Sequence, residues 1–153
     1  MDYRGTVRCF SVWVLGLAAC LSIAGCGSGV PFGIVPVNGK VTYEDGSRIE
    51  ADSILVTFNP VLTGEKGSVV PPGGQTTVNV QDGTFSAVSS RRAYDGVALG
   101  KHKVVVVAFK KGPNGSPVPS AAVPPIYNKE TSTPLEVDVE SKDQFLELKI
   151  SKK

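Results

Sequence analysis

Lys103 to Phe109 (KVVVVAF) is the stretch that most constrains this fold. Valine is stiff at χ1 and crowds a helix, whereas its branched side chain packs well on a pleated surface. The run has seven residues, four of them valine, set off by Gly100 and Gly112, and so has the length of a strand rather than of a buried helix. The run is apolar on both faces, which predicts a strand central to the domain and buried on both sides.

Strands that could flank it are written in alternation. Val37, Val41 and Tyr43 alternate with Asn38, Lys40 and Thr42 before the turn signal Asp45-Gly46. Ile54, Val56 and Phe58 share one face of Ser53 to Asn59, which Pro60 closes. Thr76 to Val80 and Thr84 to Val88 flank Asp82-Gly83 and predict a hairpin. Leu135, Val137 and Val139 are followed, after Ser141 to Asp143, by Leu146, Leu148 and Ile150, which predicts a closing hairpin. Glycines and prolines lie mostly between these runs, and no stretch after Cys26 has a convincing helical period. The reading is all-β, a seven-stranded antiparallel sandwich.

Thr63 to Gly74 is loop by composition. Lys110 to Pro125 (KKGPNGSPVPSAAVPP) carries five prolines and two glycines, which predicts a loop that neither extends the preceding strand nor forms a helix. Val118, Ala121, Ala122 and Val123 are unusual in a purely solvating linker, so this loop is also the expected contact for an envelope protein or polysaccharide partner. An inert insertion explains it equally well, because surface loops lengthen at small cost.

The first 25 residues read as an export address. Arg4 and Arg8 give a basic start and Phe10 to Ile23 an apolar run, too short at fourteen residues to span a bilayer, which takes ~20. Its end, Ile23-Ala24-Gly25-Cys26, resembles a bacterial lipoprotein signal. That resemblance implies cleavage before Cys26 and lipidation of its thiol and new amine. Each buried methylene contributes about 0.8 kcal/mol, so two or three chains hold a small domain firmly. An ordinary secretory signal is the alternative. Cys9 and Cys20 fall in the removed segment, leaving Cys26 without an intramolecular disulfide partner. Residues 26–36 then form the lipidated Cys26 and tether, and 37–153 the sandwich domain. The expected location is the cell envelope, anchored to a bacterial membrane on its periplasmic face or in the outer membrane.

Removing 25 of the 153 residues leaves 128, enough for one domain to bury a core. The address takes Arg4, Arg8 and Asp2 from 16 basic and 14 acidic residues, leaving 14 against 13. A near-neutral exported chain gives no reason to expect nucleic acid as a partner.

Val37 to Tyr43, Val56 to Pro60, Asp82 to Phe85, Gly100 to Val104, Pro125 to Tyr127, and Thr133 to Leu135 with Val137 follow one another along the chain. Together they resemble the small lipoproteins of planctomycete type that carry a transthyretin-like or carboxypeptidase-regulatory-like domain. The resemblance covers nearly all of the chain after the address, in order, and implies a prealbumin-like or Ig-like Greek key without a settled activity. His102 departs from it, since similar sequences usually carry Tyr after Gly-Lys. The hydroxyisourate hydrolases that share the transthyretin sandwich use several histidines, and this chain has one.

Candidate chemistry is sparse. His102 has no second imidazole and reads as structural. The three Asp-Gly pairs lack the closely spaced oxygen ligands that calcium demands and read as turns. Ser89-Ser90-Arg91-Arg92 reads as a solvated loop, with a contact for anionic headgroups as the lesser alternative. Tyr94 and Tyr127 are the candidate ligand-binding residues, able to stack on sugar rings, although Tyr127 fits better as a plug at the end of the sandwich, because buried aromatics dominate core packing. No catalytic residue, metal site or cofactor is expected. The leading reading is a non-catalytic, lipid-anchored interaction or structural module. A carbohydrate- or small-ligand-binding module is the alternative, and an enzyme of unrecognised type the third. An aromatic platform would mark the second, convergent titratable groups the third.

Overall fold

The computed structural model describes residues 32–62 and 69–152. These residues are all-β apart from one 3-10 turn, and their ten strands form three sheets. Gly100–Lys111 (β7) is the organising strand, as its composition demands. One edge pairs antiparallel with Ser53–Pro60 (β3), in a register that sets Val56 opposite Val106. Its other edge is shared by Glu136–Val139 (β9) at Gly100 to Lys103 and by Pro117–Pro119 (β8) at Phe109 to Lys111. Gly74–Val78 (β4) pairs with the far side of β3.

The second sheet places Val37–Tyr43 (β2) between Gln144–Ile150 (β10) and the short Thr84–Phe85 (β5). Gly39 lies beneath the Phe85 ring, and a Cβ there would collide with that ring and with the Leu146 carbonyl. Ile34–Val35 (β1) and Val97–Ala98 (β6) form a small antiparallel pair. Among the described residues, pairing therefore begins at Ile34, within the stretch expected to be tether.

The core combines Val37, Val41, Phe85, Leu148 and Ile150 of the second sheet with Ile54, Val56, Phe58, Val104, Val106 and Ala108 of the first. This gives a β-sandwich-like arrangement in which alternation selects the buried face of each strand. Burying the large apolar side chains contributes roughly 1.5–3 kcal/mol each.

Four expectations need correction. Val104, Val106 and Ala108 are buried, but Val105, Val107 and Phe109 are only half-buried, so β7 is central in its sheet without being buried on both faces. The closing hairpin does not form: β9 joins β7, whereas β10 pairs parallel with β2, with Gln144 opposite Val37 and Ile150 opposite Tyr43. The pairing is therefore not wholly antiparallel. The hairpin at Asp82-Gly83 is also incomplete. Asn79 N donates to Thr84 O (2.8 Å) and Gln75 exchanges hydrogen bonds with Ser89, but between these points Thr84–Phe85 crosses to β2. The chain bends there at Ala87, whose φ is +57°.

The fourth correction concerns Lys110 to Pro125, which does extend the preceding strand. β7 continues to Lys111, turns through Gly112 to Gly115 and returns as β8. Gly115, at φ +78°, supplies the left-handed residue of this turn. Gly112 N donates to Ser116 O, Val118 lies opposite Lys110, and Ser120 N donates to Ala108 O. In this register Pro117 and Pro119 occupy the alternate positions, whose N–H groups would point away from β7. An edge strand tolerates proline at such positions.

Candidate functional site

The loop from Ser89 to Gly96 is built by one carboxylate. Asp95 accepts from Ser90 N (2.7 Å), Arg92 N (2.9 Å), Arg91 N (3.1 Å) and Ser90 Oγ (3.1 Å). Its partial burial alone would raise its pKa. The donors outweigh that effect and hold the carboxyl below its ordinary value. Tyr94 N donates to Ser89 Oγ (3.0 Å), and Gly96 N closes the loop onto Val88 O (2.8 Å).

This lattice of short bonds holds Tyr94 at φ +62° and leaves its side chain 74 % exposed. Left-handed backbone costs a non-glycine residue roughly 1–2 kcal/mol. Tyr94 and Ala87 are the two non-glycine residues with positive φ among those described, and both line one shallow depression of about 490 Å³. Gln75, Thr76, Thr77, Ser86 and Ser89 complete its wall, so the lining offers hydroxyls and an amide and carries no charged side chain. Such a surface can hydrogen-bond a neutral polar ligand while the ring stacks on its apolar face. Its lining contains no His, Asp, Glu, Lys or Cys.

Tyr127 lies elsewhere. Pro125–Asn128 forms a 3-10 turn that tucks the ring into the core at 5 % exposure, and its hydroxyl accepts from Ser151 N (2.9 Å). It does not line the Tyr94 depression, so the aromatic platform that would mark the ligand-binding alternative does not join the two tyrosines. Of the two alternatives for Tyr127, the geometry selects the plug.

His102 is fully buried on β7. Its ring lies edge-on to Phe58 at 6.5 Å, and Nδ1 donates to the Gly100 carbonyl (2.9 Å), which can only accept. Nε2 is therefore the unprotonated nitrogen, and it has no partner. Burial pushes the imidazole pKa below its ordinary value, only partly offset by the Gly100 carbonyl and Asp138.

The other Asp-Gly carboxylates are likewise used within their turns. Asp82 accepts from Thr84 N (2.8 Å) and Thr84 Oγ1 (2.7 Å). Asp45 accepts from Ser47 N (2.9 Å) and pairs with Lys152 (2.6 Å). Among the described residues no three His, Cys, Asp or Glu side chains converge.

The 110–125 segment borders a larger depression of about 810 Å³, with Tyr43, Arg48, Lys110, Val118, Ser120 and Lys152 in its wall. Sequence reading missed this cluster, because Arg48, Lys110 and Lys152 are far apart in the chain and meet only through tertiary pairing. It also missed the strain at Ala87 and Tyr94, for which the sequence signal is only the neighbouring Asp95-Gly96. Cys26, the expected lipidation site, lies outside the described residues. No family model, curated protein or solved structure matches the chain.

Proposed function

We propose that this chain is an exported, lipid-anchored, non-catalytic interaction module of the bacterial cell envelope, with a Greek-key sandwich of the transthyretin-like kind and a binding face at Tyr94. The observation that carries the binding face is a large aromatic held outward, against backbone strain, by a loop that spends its one carboxylate on positioning it. Strain of this sort persists only where the surrounding structure enforces it, and it concentrates at ligand-binding positions. The uncharged, hydroxyl-rich wall beside Tyr94 favours a neutral sugar ring of an envelope polysaccharide over an ionic ligand.

Anchoring rests on Ile23-Ala24-Gly25-Cys26 and the absence of any other cysteine after residue 25. Replacing Cys26 with Ala moves the protein out of the membrane fraction; unchanged detergent partitioning removes the anchor from the reading. Binding is tested by titrating neutral oligosaccharides and envelope polysaccharide into the protein. Tyr94→Ala abolishes the response and Tyr94→Phe largely keeps it. A Tyr94→Ala protein that binds undiminished points instead to the depression beside Val118 as the partner surface.

A further inference from the structure

The end of the domain that receives the tether also exposes large apolar side chains. Val61, Leu62, Val69 and Val70 are between 42 % and 64 % exposed, and they bracket residues 63–68, which lie outside the described set. Pro60, Val61, Leu62, Val70, Pro71 and Lys103 line a shallow groove of about 640 Å³ there. Val61, Leu62 and Val70 share this groove, and apolar side chains gathered in water require an explanation that scattered surface hydrophobes do not.

Backbone hydrogen bonds fix where this patch sits. Leu99 N donates to Gly33 O (2.9 Å), and Val61 N donates to Lys101 O (2.8 Å). Leu99 and Lys101 are two residues apart, so the chain arriving from Cys26 and the apolar patch meet at one end of β7, within about 7 Å along that strand. Leu99 is itself partly exposed at this junction. From Cys26 to Gly33 is seven residues, at most about 25 Å when fully extended. A lipid on Cys26 therefore keeps the patch within one tether length of the headgroups. Arg91 and Lys101 bring positive charge to this end, with Asp138 of β9 opposite Lys101. The Arg91 guanidinium lies 5.9 Å from the centre of the Phe32 ring, at the mouth of the tether. Arg91 and Lys101 are exposed and join no ion pair among the described residues. Glu130 is the one carboxylate in the groove lining.

We propose that this end docks on the bilayer carrying the anchor, with Val61, Leu62, Val69 and Val70 entering the interface and Arg91 and Lys101 facing anionic headgroups. The proposal rests on the lipidation of Cys26. It makes the domain an oriented body rather than a freely tumbling one, with Arg48, Lys110 and Val118, at the opposite end of β7, directed away from the membrane. Burying apolar side chains and neutralising basic ones at the interface both add to an anchor that two acyl chains already provide.

The chain's one tryptophan, Trp13, lies in the segment expected to be removed, so a single introduced tryptophan reports its own position. Mature lipidated protein, expressed from the full chain and carrying Leu62→Trp, and separately Val118→Trp, is reconstituted into vesicles of phosphatidylcholine and phosphatidylglycerol with brominated acyl chains. Docking gives blue-shifted, strongly quenched emission at position 62 and unquenched emission at position 118. With Arg91→Glu and Lys101→Glu added, quenching at 62 falls. Protein that co-floats with vesicles yet shows no quenching at 62, or equal quenching at both positions, overturns the docking while leaving the anchor intact. Failure to co-float overturns the anchor and the docking together. Val61→Trp serves as the second probe should Leu62→Trp fold poorly.

Discussion

Two irregular stretches, 89–96 and 120–133, each carry one tyrosine, and the fold treats them oppositely. In the first, side-chain carboxylate and hydroxyl groups bond to nearby N–H groups and the ring is left outside. In the second, the apolar neighbour Val123 is buried with Tyr127, and the bonds reach across the molecule. Tyr43 Oη donates to Ala122 O (2.6 Å), Thr133 Oγ1 donates to Val104 O (2.7 Å), and Ser151 N donates to Tyr127 Oη (2.9 Å). Local bonds shape a loop without committing its aromatic side chain, whereas long-range bonds and burial make a stretch without regular strand part of the core. The first arrangement suits recognition and the second suits stability.

The sharpest way to break this contrast is to truncate both rings. Tyr127→Ala empties a buried site and strands the Ser151 N–H, and is expected to cost about 3–5 kcal/mol, read as a large fall in melting temperature. Tyr94→Ala is expected to stay within about 0.5 kcal/mol of the parent, as surface substitutions do. Similar losses at the two positions would mean that Tyr94 is packed in solution.

Removing the organiser of the first loop comes next. Asp95→Ala leaves the N–H groups of Ser90, Arg91 and Arg92 without their acceptor, in a site open enough for water to replace part of the loss. About 1–2 kcal/mol is expected, together with faster amide exchange at those three residues. Unchanged exchange would show that the loop holds its shape without Asp95.

A smaller effect distinguishes the buried region by pH. His102 takes up a proton near pH 6.5 in the unfolded chain and only at lower pH in the folded one. Below about 6.5 the unfolded state therefore binds more protons, and stability falls as pH drops from 6.5 toward the folded pKa, with no further loss from this group beneath it. The slope is at most about 1.4 kcal/mol per pH unit. His102→Phe is expected to flatten it in chemical denaturation between pH 7 and 5. A slope that survives this substitution belongs to another group.

Much of the fold was legible because alternation records which face of a strand is buried. Val37 and Val41, Ile54, Val56 and Phe58, and Leu148 and Ile150 all bury the face that their spacing marks. Partner choice was not legible, because a half-buried strand of a given period fits beside many others. Nothing local in Gln144 to Ile150 specifies parallel pairing with β2 over a hairpin with β9. The prolines of 117–119 misled for a related reason: proline excludes a strand only where its N–H is needed, and that depends on a register the sequence does not show. At the candidate site, Tyr94 was legible as an exposed aromatic but its depression was not, since Gln75, Thr76 and Thr77 reach it through strand pairing. Tyr127 carried the same local signal, and its burial follows from packing across the whole core.

The finest test of the contrast concerns the backbone beneath Tyr94. At φ +62° any residue with a Cβ is strained by roughly 1–2 kcal/mol, and glycine is not. Tyr94→Gly and Tyr94→Ala both delete the ring, so their difference isolates the strain. The glycine variant is expected to be the more stable by about 1 kcal/mol, less whatever flexibility it adds to the unfolded chain. Both variants lose the proposed sugar-binding surface equally, which separates the presentation of the ring from the strain that maintains it. If the alanine variant is instead the more stable, the loop relaxes to negative φ once the ring is gone. The left-handed backbone would then be held by the tyrosine side chain rather than by Asp95 and Ser89.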